Sequence, residues 1–128
     1  MVAIDTNILV RRIVSDHAVL SPQATQMLEQ AKPGSLLLDR VIIEELGYVL
    51  HSNYGFDKQR VADVYRSLLR EAVFYITDRE LTAAAVKLFV SERPLSFEDC
   101  WLLALKRAGR VGDVLTFDAA LQKRVSRS

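Results

Sequence analysis

The sequence predicts a three-layer α/β domain with a central parallel sheet, and three observations predict it. Short apolar runs recur along the chain, at Val2-Ala3-Ile4, Leu36-Leu37-Leu38, Val73-Phe74-Tyr75-Ile76 and Val114-Leu115. Segments with apolar residues at helical spacing separate these runs. No hairpin signal joins any two of them, so the connections read as right-handed crossovers between parallel strands. At 128 residues the chain reads as one domain over 1–128, long enough to bury a real core.

Each element has its own warrant. Val2 to Ile4 is a short buried strand, closed by the polar triplet Asp5-Thr6-Asn7 and continued by Ile8-Leu9-Val10. Val14 to Leu20 reads as a loop or a frayed helix end. Ser21-Pro22 then opens a helix, serine as the cap and proline at the first helical position. Ala24, Met27, Leu28 and Ala31 form its inner stripe, and Pro33-Gly34 stops it. Leu36-Leu37-Leu38 is continuously apolar, as in a strand covered on both faces. A strong helical pattern follows from about Arg40 to His51, and a turn lies at Asn53-Tyr54-Gly55.

Asp57 caps a helix carrying Val61, Val64, Tyr65, Leu68 and Leu69. After the third strand, Asp78 or Thr77 caps a helix with Leu81, Ala84, Ala85, Leu88 and Phe89 inward. Ser96 opens another, to about Ala108, and Gly109 and Gly112 punctuate the chain beyond it. Val114-Leu115 is a last short strand, and Asp118 starts a terminal helix. No internal repeat, low-complexity segment or linker interrupts the pattern.

Composition bounds the function. Half the residues are hydrophobic and 26% are charged, which marks a globular chain. A net charge of +1 leaves any attraction to phosphate to local clusters. These exist at Arg11-Arg12, at Lys106-Arg107 with Arg110, and at Lys123-Arg124 with Arg127. The one cysteine, Cys100, has no disulfide partner and no zinc-type spacing around it. The sequence starts without a basic segment leading into an apolar one, and no apolar run reaches membrane-spanning length. The expectation is a chain of the reducing cytoplasm, away from the membrane.

Four acids stand at the ends of strands or the edges of helices. Asp5 follows the first strand, where open α/β sheets bind ligands; as an Asp there, it could equally cap the next helix. Glu44 and Glu45 lie together on the second long helix, about 100° apart around its axis. Against the stripe Ile42, Ile43, Leu46, Val49 and Leu50, Glu44 projects into water and Glu45 borders the buried face. Asp99 completes a capping-box spacing with Ser96, yet Leu102 and Leu103 put it beside a buried face too. Asp118 follows Thr116-Phe117 in the same strand-then-polar arrangement as Asp5, where Thr116 or Asp118 could cap the last helix. Clustered carboxylates repel one another unless a cation neutralises them, and all-oxygen sites suit Mg²⁺ or Mn²⁺. His17, in a loop, and His51, at a helix end, offer no other chemistry. There is no Gly-rich phosphate loop and no nucleophile elbow.

Four segments, taken in order, carry a resemblance. Ile4-Asp5-Thr6-Asn7-Ile8-Leu9, Glu45-Leu46-Gly47-Tyr48-Val49-Leu50, Phe97-Glu98-Asp99 and Leu115-Thr116-Phe117-Asp118 are similar to the signature segments of PIN-domain ribonucleases. Order, spacing and total length agree best with the VapC-type toxins of prokaryotic toxin–antitoxin pairs. One departure is Cys100-Trp101, where such proteins usually carry a small residue and then an aliphatic one after the third acid. The resemblance implies a PIN-like fold in which Asp5, Glu45, Asp99 and Asp118 are the catalytic, metal-binding acids. Asn7 and Thr116 are then polar supports. It further implies an endoribonuclease that uses Mg²⁺ or Mn²⁺ to activate water against RNA, forms a homodimer and is silenced by a cognate antitoxin. Arg11 or Arg12 could orient the RNA backbone through phosphate contacts. Two other readings compete: a catalytically silent PIN-like binding module, and a phosphoacceptor signalling domain. The latter needs an acidic pair after the first strand, where Asp5-Thr6-Asn7 supplies one acid.

Overall fold

The computed structural model describes all 128 residues, which divide into two compact units, Met1–Thr77 and Asp78–Ser128. The first unit runs β1 (Val2–Ala3), α1 (Thr6–Val14), α2 (Leu20–Gln30), β2 (Leu36–Leu38), α3 (Arg40–Tyr54), α4 (Lys58–Arg70) and β3 (Phe74–Ile76). All three strands are parallel, in the order β1-β2-β3, with Val2 opposite Leu36 and Leu36–Leu38 opposite Phe74–Ile76. Side chains alternate across a sheet and neighbours in register share a face. On one face Leu36, Leu38, Phe74 and Ile76 are buried; on the other, Leu37 is half-buried and Tyr75 is 54% exposed. Central β2 is therefore fully covered on one side and partly on the other, short of the two-sided burial its apolar run suggests.

Local chemistry sets the helix ends. α1 is a complete helix where the sequence showed only an apolar continuation, and Ser15 ends it in the left-handed region at φ 56°. α2 begins at Leu20, before the expected Ser21 cap. His17 does the capping: its Nδ1 accepts the N–H groups of Val19 (3.2 Å) and Leu20 (2.9 Å), while Ser21 Oγ accepts the His17 N–H (3.2 Å). Pro22 still falls in the first turn, where a missing N–H costs nothing. Asp39 and Asp57 cap α3 and α4 by accepting the N–H groups of Arg40 (2.6 Å) and Arg60 (2.9 Å). Gly55 ends α3 at φ 69°, a conformation open to glycine, and the Phe56 N–H reaches back to the Leu50 carbonyl. α3 and α4 pack so closely that a Cβ on Gly47 would overlap the Tyr65 hydroxyl. Leu9, Leu46, Leu50 and Leu68 are fully buried in this unit.

The second unit is helical: α5 (Arg79–Ser91), α6 (Phe97–Arg107) and α7 (Ala119–Ser126). Phe89 and Phe97 meet edge to face at 6.4 Å, and Cys100, Leu103 and Leu121 are fully buried. Asp78 occupies the start of α5 in the left-handed region without a capping bond, and pairs instead with Arg110. Arg124 on α7 donates to Glu92 at the end of α5 (2.7 Å), and that bond, over an opposing desolvation, lowers the Glu92 carboxyl below its ordinary range. The expected strand at Val114-Leu115 does not form. Segment 113–118 is irregular; its alternation is present, with Val114 and Thr116 half-buried and Leu115 and Phe117 fully exposed, but no strand pairs with it.

Candidate metal centre

Asp5 stands between β1 and α1, at the carboxyl end of its strand, in the position of an N-cap. Its backbone is extended (φ −86°, ψ 151°) as a cap requires, yet its side chain makes no capping bond. The arginines of α1 and of the start of α3 pair with other acids: Arg11 with Asp16, Arg12 with Glu71 and Arg40 with Glu44. Asp5 is exposed and is the one charged residue lining an open groove of about 530 Å³, walled by Ile4, Ile8, Met27 and Leu36.

Glu45, on α3, is tied to the start of α1. Thr6, the first residue of α1, is only 3% exposed, and its hydroxyl donates to Glu45 Oε2 at 3.1 Å. The bond carries the Glu45 carboxylate to the residue next to Asp5, although Glu45 is exposed and does not border the buried face as its helix phase suggests. Glu44, expected in open water, instead lies half-buried against Arg40 one turn earlier (3.5 Å). An i, i+4 ion pair lays both side chains along the helix surface.

Both remaining acids lie in the second unit and are engaged locally. Asp99 Oδ2 accepts the Ser96 N–H (3.2 Å) while Ser96 Oγ accepts the Asp99 N–H (3.1 Å), a complete capping box. Asp118 Oδ1 accepts the Leu121 N–H (2.8 Å) and caps α7. Thr116 Oγ1 accepts the Asp118 N–H (3.0 Å) and fixes the turn before that cap. Each carboxylate keeps its second oxygen outside the cap. Asn7 is exposed on the first turn of α1. Arg12 makes a two-pronged bond to Glu71 (2.5 and 2.8 Å) and lies against the Phe74 ring, so its charge is engaged within the fold.

The structure thus bonds Glu45 to Thr6, the neighbour of Asp5 in the chain, and forms no group of three or more Asp, Glu, His or Cys side chains able to hold a metal ion. As a donor set, two carboxylates beside a hydroxyl fit a hard divalent cation, which takes oxygen ligands. Thr6 is the residue that sequence reasoning missed. A threonine after an aspartate at a helix start reads as part of a cap, and only burial shows that its hydroxyl needs another partner.

The PIN domain family model matches residues 2–127, and the chain belongs to that family. Its three parallel strands and seven helices agree with the three-layer α/β/α arrangement of a PIN-like fold. PIN domains are generally nucleases and typically use divalent metals, so the class of the protein is nuclease-like. No curated protein and no solved structure matches the chain. No helix is long and apolar enough to cross a membrane.

Proposed function

We propose that the chain is a divalent-metal-dependent endoribonuclease and the toxin of a toxin–antitoxin pair, working in the cytoplasm as a homodimer on RNA. The observation that carries the nuclease reading is the Asp5 carboxylate: it stands at the end of β1, free of any cap, one residue from the hydroxyl that holds Glu45.

In this reading Asp5 and Glu45 would hold Mg²⁺ or Mn²⁺, and Asp99 and Asp118 are the further acids that the resemblance of the four segments assigns to the metal. A bound ion of that kind supplies a nucleophilic water near neutral pH and charge to set against the phosphate. Thr6 keeps the Glu45 carboxylate turned toward Asp5, and Asn7 adds a neutral donor on the exposed side of α1. Thr116 holds the turn that presents Asp118. Arg11, exposed enough to leave Asp16, or Arg12 orients the RNA backbone; Arg11 is the better placed, since its pair is the longer of the two at 3.4 Å.

The toxin role rests on the resemblance of the four segments, and expression tests it. Produced without its antitoxin, the wild-type chain arrests growth, and the antitoxin made alongside restores it. Asp5→Asn, expressed to the same soluble level, leaves growth normal. Normal growth at high levels of intact wild-type chain would rule the toxin role out.

A further inference from the structure

We infer that Thr6 is a positioning residue for the metal centre: its buried hydroxyl orients the Glu45 carboxylate for the ion that Asp5 shares. The inference rests on the metal-dependent reading above and assigns a part of the site that the four-acid pattern leaves out.

Thr6 is the first residue of α1, so no helical carbonyl lies four residues before it to take its hydroxyl proton, the usual resting place for a threonine within a helix. At 3% exposure water is closed to it as well. A buried hydroxyl left without a partner is costly, and no buried side-chain polar atom in the chain is left so. The partner it has is Glu45 Oε2 at 3.1 Å, thirty-nine residues away on α3. A hydroxyl donor bonds more strongly to a carboxylate than to a neutral acceptor, and this donor is fixed by its own backbone at the start of α1.

The geometry does two things for Glu45, whose residue is otherwise exposed at the edge of α3. It removes the rotamer freedom of a long surface side chain. It also engages Oε2 and leaves Oε1 without a hydrogen bond, so the carboxylate would keep an oxygen for a cation. Outer-shell partners of this kind fix ligand orientation, and their loss typically weakens metal affinity about 10–100-fold.

Mn²⁺ titrations followed by electron paramagnetic resonance test it on the full chain, with circular dichroism melts in chelator to check folding. Thr6→Val, which keeps the shape and loses the hydroxyl, is expected to weaken Mn²⁺ binding about 10-fold or more. Thr6→Ser, which keeps the hydroxyl, is expected to bind close to wild type. In a Glu45→Gln background the Thr6→Val change is expected to have no further effect, because its route to the ion is already gone. A structural role alone would lower the metal-free melting temperature and leave the Mn²⁺ affinity of the folded chain unchanged. Equal affinity of wild type and Thr6→Val, or a loss that persists undiminished in Glu45→Gln, overturns the inference while the nuclease reading stands. A folded wild-type chain that neither binds Mn²⁺ nor cuts RNA overturns both.

Discussion

Asp5, Asp99 and Asp118 all sit at or near helix starts and use the position differently. The carboxylates of Asp99 and Asp118 bond to backbone N–H groups of their own helices, as those of Asp39 and Asp57 do. That of Asp5 does not. Capping therefore accounts for the placement of Asp99 and Asp118 and fails for Asp5, while metal binding and capping remain compatible at the other two through their second oxygens. Two substitutions separate the roles at Asp99. Ser96→Ala removes one arm of the capping box and keeps the acid, so it should cost about 1 kcal/mol, or roughly 3–6 °C, with RNA cleavage retained. Asp99→Asn keeps an oxygen for the Ser96 N–H, so it should melt near wild type and lose cleavage. Melts and cleavage at 25 °C check both, and undiminished cleavage by Asp99→Asn would leave Asp99 a cap alone. The capping box was legible because its spacing, Ser96 to Asp99, is local. Helix phase puts Glu45 at the border of the buried face and Glu44 in water, whereas in the structure Glu45 is exposed and bonded to Thr6, and Glu44 is half-buried against Arg40. Thr6 itself was not legible, because burial is a property of the packed chain.

At the scale of elements, the sequence pattern located six of the seven helices and the three paired strands, missed α1, and erred elsewhere where an outcome depends on a partner. Val114-Leu115 has the alternation of a strand, and a strand exists only when another one bonds to it. α2 begins before Ser21 because His17, four residues back, offers a ring nitrogen to the first free N–H groups. Ring nitrogens are rarer caps than hydroxyls, so the serine drew the eye. The contact of α3 with α4 yields a further prediction. In an open helix Gly47→Ala would gain about 1 kcal/mol from helix propensity. Here the new Cβ meets the Tyr65 hydroxyl and ring, and overpacking should reverse the sign to a net loss of about 1–3 kcal/mol. Tyr65→Phe in the same chain, which removes the nearest atom, should recover part of it in a urea melt. A Gly47→Ala chain at least as stable as wild type would show that α3 and α4 part easily.

At the scale of the molecule, the four acids divide two and two: Asp5 and Glu45 in Met1–Thr77, Asp99 and Asp118 in Asp78–Ser128. Family membership spans both units, from residue 2 to residue 127. The order of segments along the chain could be read from sequence, because each acid sits beside a strand end or helix start with its own local signature. A site common to all four would be a long-range property that no local spacing encodes. The central claim is that these acids serve one metal-dependent cut in RNA. Its most direct test is cleavage of a defined single-stranded RNA by the purified chain, with Mn²⁺ or Mg²⁺ and with chelator, beside Asp5→Asn of equal folded content. The wild-type chain should yield fragments only with the ion present, and Asp5→Asn should yield none under either condition. Fragments in chelator, or fragments from Asp5→Asn at the wild-type rate, would contradict it.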